Sequence, residues 1–148
     1  MKFWDSSALV PLLVRQPASE AMKHLVEADP VMHVWWGARV ECVSALSRLE
    51  RMERRIVLDQ VAIAMGRLGR ISENWMEIDP SEGIRNAAQR LLRVHDLRAG
   101  DALQLAAALA ASEGYPEAAE FVCLDNRLSA AAMREGFLVM NPMSEGRP

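Results

Sequence analysis

The sequence predicts an α/β domain built on a parallel sheet. Three observations carry that expectation. Short apolar runs alternate with longer helical patterns along the whole chain. Two of those runs, Phe3-Trp4 and Val122-Cys123-Leu124, end in an aspartate. The 148 residues hold no internal repeat, low-complexity tract or linker, and that length suits one domain with its own core.

The elements follow in order. Lys2-Phe3-Trp4-Asp5 reads as the first strand. Ser6 and Ser7 are cap candidates for a helix starting near Ala8, with Pro11 in its first turn, where a missing N–H costs little. A second helix is expected from Ala18 to Ala28, ending before Asp29-Pro30, and a second strand from Val31 to Trp35. Helices then cover Gly37 to Arg54 and Leu58 to Arg70, and Trp75 to Ile78 is the third strand. Asp79-Pro80-Ser81-Glu82 reads as a helix start with Asp79 as cap, and that helix runs to Val94. An alanine-rich helix spans Asp101 to Ser112, a buried strand Phe121 to Asp125, and a helix Leu128 to Glu135. Gly136 ends that helix, Phe137 to Met140 is the last strand, and the tail from Asn141 is expected to be mobile.

Composition removes several function classes. Only Cys42 and Cys123 occur, so there is no disulfide scaffold, CxxC motif or zinc set, and two lone thiols suit a reducing cytosol. Asp5 interrupts the N-terminus before a signal-peptide apolar region forms. The charge-free stretch Ala102 to Ser112 is too short to span a bilayer, so a soluble, cytoplasmic protein is expected. A net charge of −3 argues against coating nucleic acid by bulk positive charge. Lysine occurs only at Lys2 and Lys23, and the other basic residues are arginine, which is also what a GC-rich coding bias produces. No Gly-rich phosphate loop is present, and His24, His33 and His95 pair with no nucleophile motif.

The acids are the informative feature. In a parallel sheet all strand C-termini share one edge, where open α/β folds bind ligands, so Asp5 and Asp125 belong to one rim. Asp101 opens a helix of Ala, Leu and Gln, and Glu41 sits between Val40 and Cys42. Carboxylates in apolar surroundings are costly unless paired or metal-bound, and an oxygen-only set suits Mg²⁺ or Mn²⁺. Each acid also has a structural alternative: Asp101 as a cap, Asp125 as a turn with Asn126, Glu41 as an arginine partner. An aspartyl phosphatase would place an Asp where Ser7 stands, and a receiver domain would want an acidic pair near the first strand.

These residues resemble PIN-domain nucleases. Asp5-Ser6-Ser7-Ala8-Leu9-Val10 is similar to that family's first motif, and Glu41 in Val40-Glu41-Cys42-Val43-Ser44-Ala45-Leu46 to its helical glutamate. Leu97 to Ala108, around Gly100-Asp101-Ala102-Leu103-Gln104, resembles the third motif, and Phe121 to Leu128, around Asp125-Asn126-Arg127, the fourth. The order is that of the family, and the length and Gly136-Phe137-Leu138-Val139 ending look like the VapC toxin branch. The resemblance implies a three-layer α/β/α fold with a mainly parallel sheet of about five strands, in one domain over residues 1–148. It implies a Mg²⁺- or Mn²⁺-dependent endoribonuclease, the toxin of a toxin–antitoxin pair, leaving 5′-phosphate and 3′-hydroxyl ends. Asp5, Glu41, Asp101 and Asp125 inherit the metal and catalytic roles, with Ser7, Cys123 and Asn126 beside them. Cys123 stands where the family commonly has Thr or Ser, which weakens support for Asp125. The implied partners are RNA, a second copy of the chain and a VapB-like antitoxin whose basic residue reaches the carboxylates. The alternative is a PIN-fold binding protein acting through its partner complex with weak or no cleavage.

Secondary features divide between roles. Glu41, Ser44, Arg48, Arg51 and Arg55 lie near one helical face. Arg48 and Arg51 either extend the site along RNA or form a solvated stripe answered by Glu50 and Glu53. Leu9, Leu12, Leu13 and Leu25 would line an antitoxin groove edged by Trp35 or Trp36, unless those leucines pack inward on the sheet.

Overall fold

The computed structural model describes residues 1–52 and 57–143. The strands are β1 (Lys2–Trp4), β2 (His33–Trp35), β3 (Met76–Ile78), β4 (Glu120–Val122) and β5 (Leu138–Met140). The helices are α1 (Ser6–Leu13), α2 (Ser19–Ala28), α3 (Ala38–Arg51), α4 (Leu58–Ser72), α5 (Glu82–Val94), α6 (Ala99–Ala111) and α7 (Asn126–Arg134), with a 3₁₀ turn at Pro116–Ala118. All five strands are parallel, in the order β3-β2-β1-β4-β5. The expected fold class is the one observed.

Strand alternation sorts the core into two layers. Trp4, Val34 and Val122 point to one face and pack with Leu9, Leu13, Met22, Cys42, Leu46 and Leu68 from α1 to α4. Phe3, Trp35 and Phe121 point to the other and pack with Ile84, Leu91, Leu105 and Leu128 from α5, α6 and α7. The register pairs Phe3 with Phe121, and their rings stack at 5.6 Å. Ala102, Ala106, Ala107 and Ala108 are buried, so α6 lies close on the sheet as its composition implies.

The chain runs outward from β1 through β2 to β3, then returns to the far side of β1 as β4 and β5. The strand order therefore reverses between β1 and β4. The chain leaves the carboxyl ends of these two strands in opposite directions, which places the ligand crevice of this topology between the segments carrying Asp5 and Asp125.

Several local expectations change. Asp5 itself, not Ser6 or Ser7, caps α1, and Pro11 falls in the second turn, buried against the core. Its ring removes one helical hydrogen bond in a helix of 8 residues, where few are present to lose. Ser81, not Asp79, caps α5: its side chain accepts from the Ile84 N–H at 3.2 Å. Two residues N-terminal of that cap, Asp79 is exposed. Asp101 is the third residue of α6 rather than its opening residue, and β4 stops at Val122, so Asp125 ends a short extension of that strand. Gly136 follows α7 with φ +105°, a conformation that disfavours a side chain. The expected end of the third helix at Arg54, with Glu53 and Arg55, and the tail beyond Met143 lie outside the described residues. Among the described residues no helix is long and apolar enough to cross a membrane.

Candidate functional site

Four helix starts bring four carboxylates to the crevice. Asp5 caps α1 directly after β1, and Asp125 caps α7 after the β4 extension. Glu41 lies in the first turn of α3, and Asp101 in the first turn of α6. Helix N-termini carry partial positive charge, so this placement offsets part of the cost of gathering anions. The entry to α3 depends on Gly37: a Cβ there would stand 2.5 Å from the Trp35 indole nitrogen. A bare backbone lets the chain turn past Trp35 and present Glu41 one turn later.

Each carboxylate is held by one oxygen. Asp5 Oδ2 accepts the Ser7 N–H at 3.0 Å and the Ser7 hydroxyl. Glu41 Oε2 accepts the Ser6 hydroxyl at 3.0 Å and Gln104 Nε2 at 3.2 Å. Asp101 Oδ2 accepts the Arg98 N–H at 3.3 Å, and Asp125 Oδ1 the Leu128 N–H at 2.8 Å. Among the described residues the second oxygen of each accepts no hydrogen bond. Capping, expected only as the alternative for Asp101, is therefore true of Asp5, Asp101 and Asp125, but it occupies only half of each carboxylate.

The four differ in depth. Asp5 is 3% exposed, so it forms the floor of the site rather than its rim. Glu41 and Asp101 are half-buried, and Asp125 is exposed. Burial pushes the Asp5 carboxyl above its usual range, Asp101 adds repulsion, and the Ser7 and Cys123 hydrogen bonds oppose both. Glu41 is raised by burial and by repulsion from Asp5 and Asp101. Asp101 is raised by burial and by Asp125, against the opposing pull of Arg98 and Arg127. These mutual repulsions place all four acids in one field.

The supporting residues depart from the sequence reading. Ser7 does more than sit near a metal. Its hydroxyl donates to Asp5 and accepts the Leu124 N–H at 3.0 Å, tying the end of β1 to the extension of β4. Cys123 supports Asp5 more than Asp125: its thiol lies 3.7 Å from Asp5 Oδ2 and touches only the backbone carbonyl of Asp125, at 3.4 Å. Burial pushes the Cys123 thiol far up, and Cys42 up to about 12, so both stay protonated. Asn126 is the exposed first residue of α7.

Two positioning residues were not visible from the sequence. Ser6 and Gln104 both hold Glu41, and Gln104 is fully buried with its Oε1 unpartnered among the described residues. A glutamine inside an Ala-Leu helix was the available signal.

Other expected site residues stand elsewhere. Arg48 and Arg51 are exposed on α3, and Arg51 Nε donates to the Ser47 carbonyl at 3.4 Å. Leu9 and Leu13 are each 1% exposed, so they pack inward and line no groove. Trp35 is likewise buried, because strand alternation points it into the core. Leu12 and Leu25 are partly buried against that core, and Trp36 is exposed.

The donor chemistry fits a hard divalent cation: four oxygen-bearing acids, each with one oxygen anchored and one uncommitted. Their spacing is open. Among the described residues no group of three or more His, Cys, Asp or Glu forms a ready metal cage. Mutual repulsion acts in that direction.

No protein-family model and no curated protein matches the chain. Among solved structures it is similar to the crystal structure of FitAcB from Neisseria gonorrhoeae, with a TM-score of 0.63 and 14% identity. The match covers 97% of this chain and 99% of that one. At this identity the likeness shows the shared fold.

Proposed function

We propose that this protein is a Mg²⁺- or Mn²⁺-dependent endoribonuclease of PIN type, the VapC-like toxin of a toxin–antitoxin pair in the cytoplasm. The observation that carries the proposal is the set of four carboxylates at the switch point, each held through one oxygen with the other uncommitted. Asp5, Asp101 and Asp125 would hold the ion, with Glu41 beside them. A divalent cation there supplies charge neutralisation for the scissile phosphate and a more acidic bound water.

The chain's own residues set the stage for that chemistry. Ser7 fixes the rotamer of Asp5, and Ser6 and Gln104 fix Glu41, so the deep acids are oriented in advance. Asp101 and Asp125 stand at the mouth, where a phosphodiester arrives. Glu41, when ionised, would accept a proton directly or through water, a role that its burial and acidic neighbours support by raising its proton affinity. The products would carry 5′-phosphate and 3′-hydroxyl ends. The partners in this reading are RNA, a second copy of the chain and a VapB-like antitoxin, whose arginine or lysine would relieve the repulsion among the acids while blocking the site.

The binding-protein alternative, with weak or no cleavage, draws on the open spacing of the acids. Incubating purified protein with a panel of synthetic RNAs, with Mn²⁺ or with EDTA, separates the two. Metal-dependent cleavage that Asp125→Ala abolishes in a folded protein supports the nuclease. A folded wild type that cuts no RNA with Mn²⁺, yet binds its partner tightly, supports the alternative.

A further inference from the structure

We propose that Arg98 and Arg127 form a phosphate clamp that grips the RNA backbone across the mouth of the acidic cleft; the inference rests on the ribonuclease reading above. The mouth is a cavity of about 460 Å³ lined by Arg98, Asp101, Leu124, Asp125, Asn126 and Arg127. Each acid of the mouth thus has an arginine close by in sequence: Arg98 three residues before Asp101, and Arg127 two after Asp125.

Stability alone does not place them there. Arg98 is the N-cap residue of α6, and Arg127 is the second residue of α7. Helix N-termini repel cations, so both guanidiniums sit against the local dipole. Their intramolecular compensation is slight. Arg127 has an ion pair with Asp96 at 3.9 Å, and the Asp96 side chain is 93% exposed. Arg98 has no ion pair among the described residues. Both are exposed, and both are near enough to Asp101 to oppose the rise in its pKa.

A polyanion approaching this cleft meets four acids on a chain of net charge −3. The phosphates on either side of the scissile one need local cations, and the guanidinium fork matches phosphate oxygens in the plane and spacing that lysine lacks. Arg48 and Arg51 do not line this cavity, which leaves Arg98 and Arg127 as the cations at its walls.

The test is steady-state cleavage of a fluorescent RNA by the full chain with Mn²⁺ across a salt series. Arg98→Ala and Arg127→Ala should each raise KM roughly tenfold, the weight of one charge-assisted hydrogen bond, with kcat within about twofold. Each should also reduce the salt slope of log(kcat/KM) by about one. Arg→Lys should recover the slope and only part of KM. Mn²⁺ affinity, read by calorimetry without RNA, should not weaken, since each variant removes one neighbouring cation. Arg85→Ala, exposed on α5 and paired with Glu82, is the remote control and should change neither parameter. Unchanged KM and salt slope in both variants, beside an active wild type, overturn the clamp and leave the nuclease standing. So does a fall in kcat with weakened Mn²⁺ binding and constant KM, which would assign the arginines to the ion site. A wild type that cleaves no RNA overturns both.

Discussion

Removing the Ser7 hydroxyl perturbs the site at its narrowest point. Besides a long 3.7 Å contact with the Cys123 thiol, Ser7→Ala deletes two bonds at once: the one donated to Asp5 Oδ2 and the one accepted from the Leu124 N–H at 3.0 Å. The first is a bond to a carboxylate, with a net weight of about 1.5–3 kcal/mol. The second leaves a backbone donor unpaired, a penalty of about 1–3 kcal/mol when water is excluded. Ser7 is half-buried, so water recovers part of that penalty, and Asp5 keeps the Ser7 N–H at 3.0 Å. The net expectation is a loss of about 2–4 kcal/mol. For a domain of this size that lowers Tm by roughly 4–15 °C. Ser6→Ala is the internal control: it deletes one bond to a half-buried glutamate and should cost less, about 0.5–1.5 kcal/mol. Urea unfolding of the metal-free protein measures both, with the m-value as the check that the unfolded state is unchanged. A Ser7→Ala protein within about 0.5 kcal/mol of wild type, at equal m-value, would refute the claim that this hydroxyl joins β1 to β4.

Two further outcomes follow from the same structure. The folded-state pKa values of Asp5, Glu41 and Asp101 are raised, so between the ordinary carboxylate range and those raised values the folded protein binds more protons than the unfolded chain. Stability from these groups is therefore lost as pH rises through that window. Asp5→Asn should make the metal-free protein more stable than wild type above the window, with the difference vanishing in acid; a pH-independent difference would contradict the assignment. Glu135, lowered by Arg90, works in the opposite sense in both proteins and cancels from the comparison. At the start of α5, Ser81→Ala should cost about 0.5–2 kcal/mol and Asp79→Ala less than about 0.5 kcal/mol in thermal unfolding; the reverse order would restore Asp79 as the cap.

The layers and the sheet were legible in the sequence because apolar runs of strand length alternate with helical periods, and those patterns survive any local error. The rim was legible because two buried-type strands end in aspartate. Depth was not. Asp5 and Asp125 read as equivalent places after a strand, yet one is buried and the other exposed, because Asp5 directly follows β1 while Asp125 stands three residues beyond β4 on its extension. Cap identity was lost at Asp79, where Asp-Pro-Ser offers two cap residues and only the backbone decides between them. Leu9 and Leu13 read equally as groove or core, since periodicity marks an apolar face without saying what covers it. Long-range polar contacts such as Gln104 with Glu41 leave no spacing signature at all.

The account depends most on four carboxylates, contributed by four helix starts, acting on one cation. Calorimetric titration of Mn²⁺ into the metal-free protein tests this directly. Wild type should bind, and binding should raise Tm by relieving the repulsion among the acids. Asp5→Asn, Asp101→Asn and Asp125→Asn should each weaken binding at least about tenfold, since even the loss of a group that only supports a metal ligand costs that much, while Asp79→Asn should bind as wild type does. Equal Mn²⁺ affinity in all five proteins, or none in a folded wild type, would contradict the account.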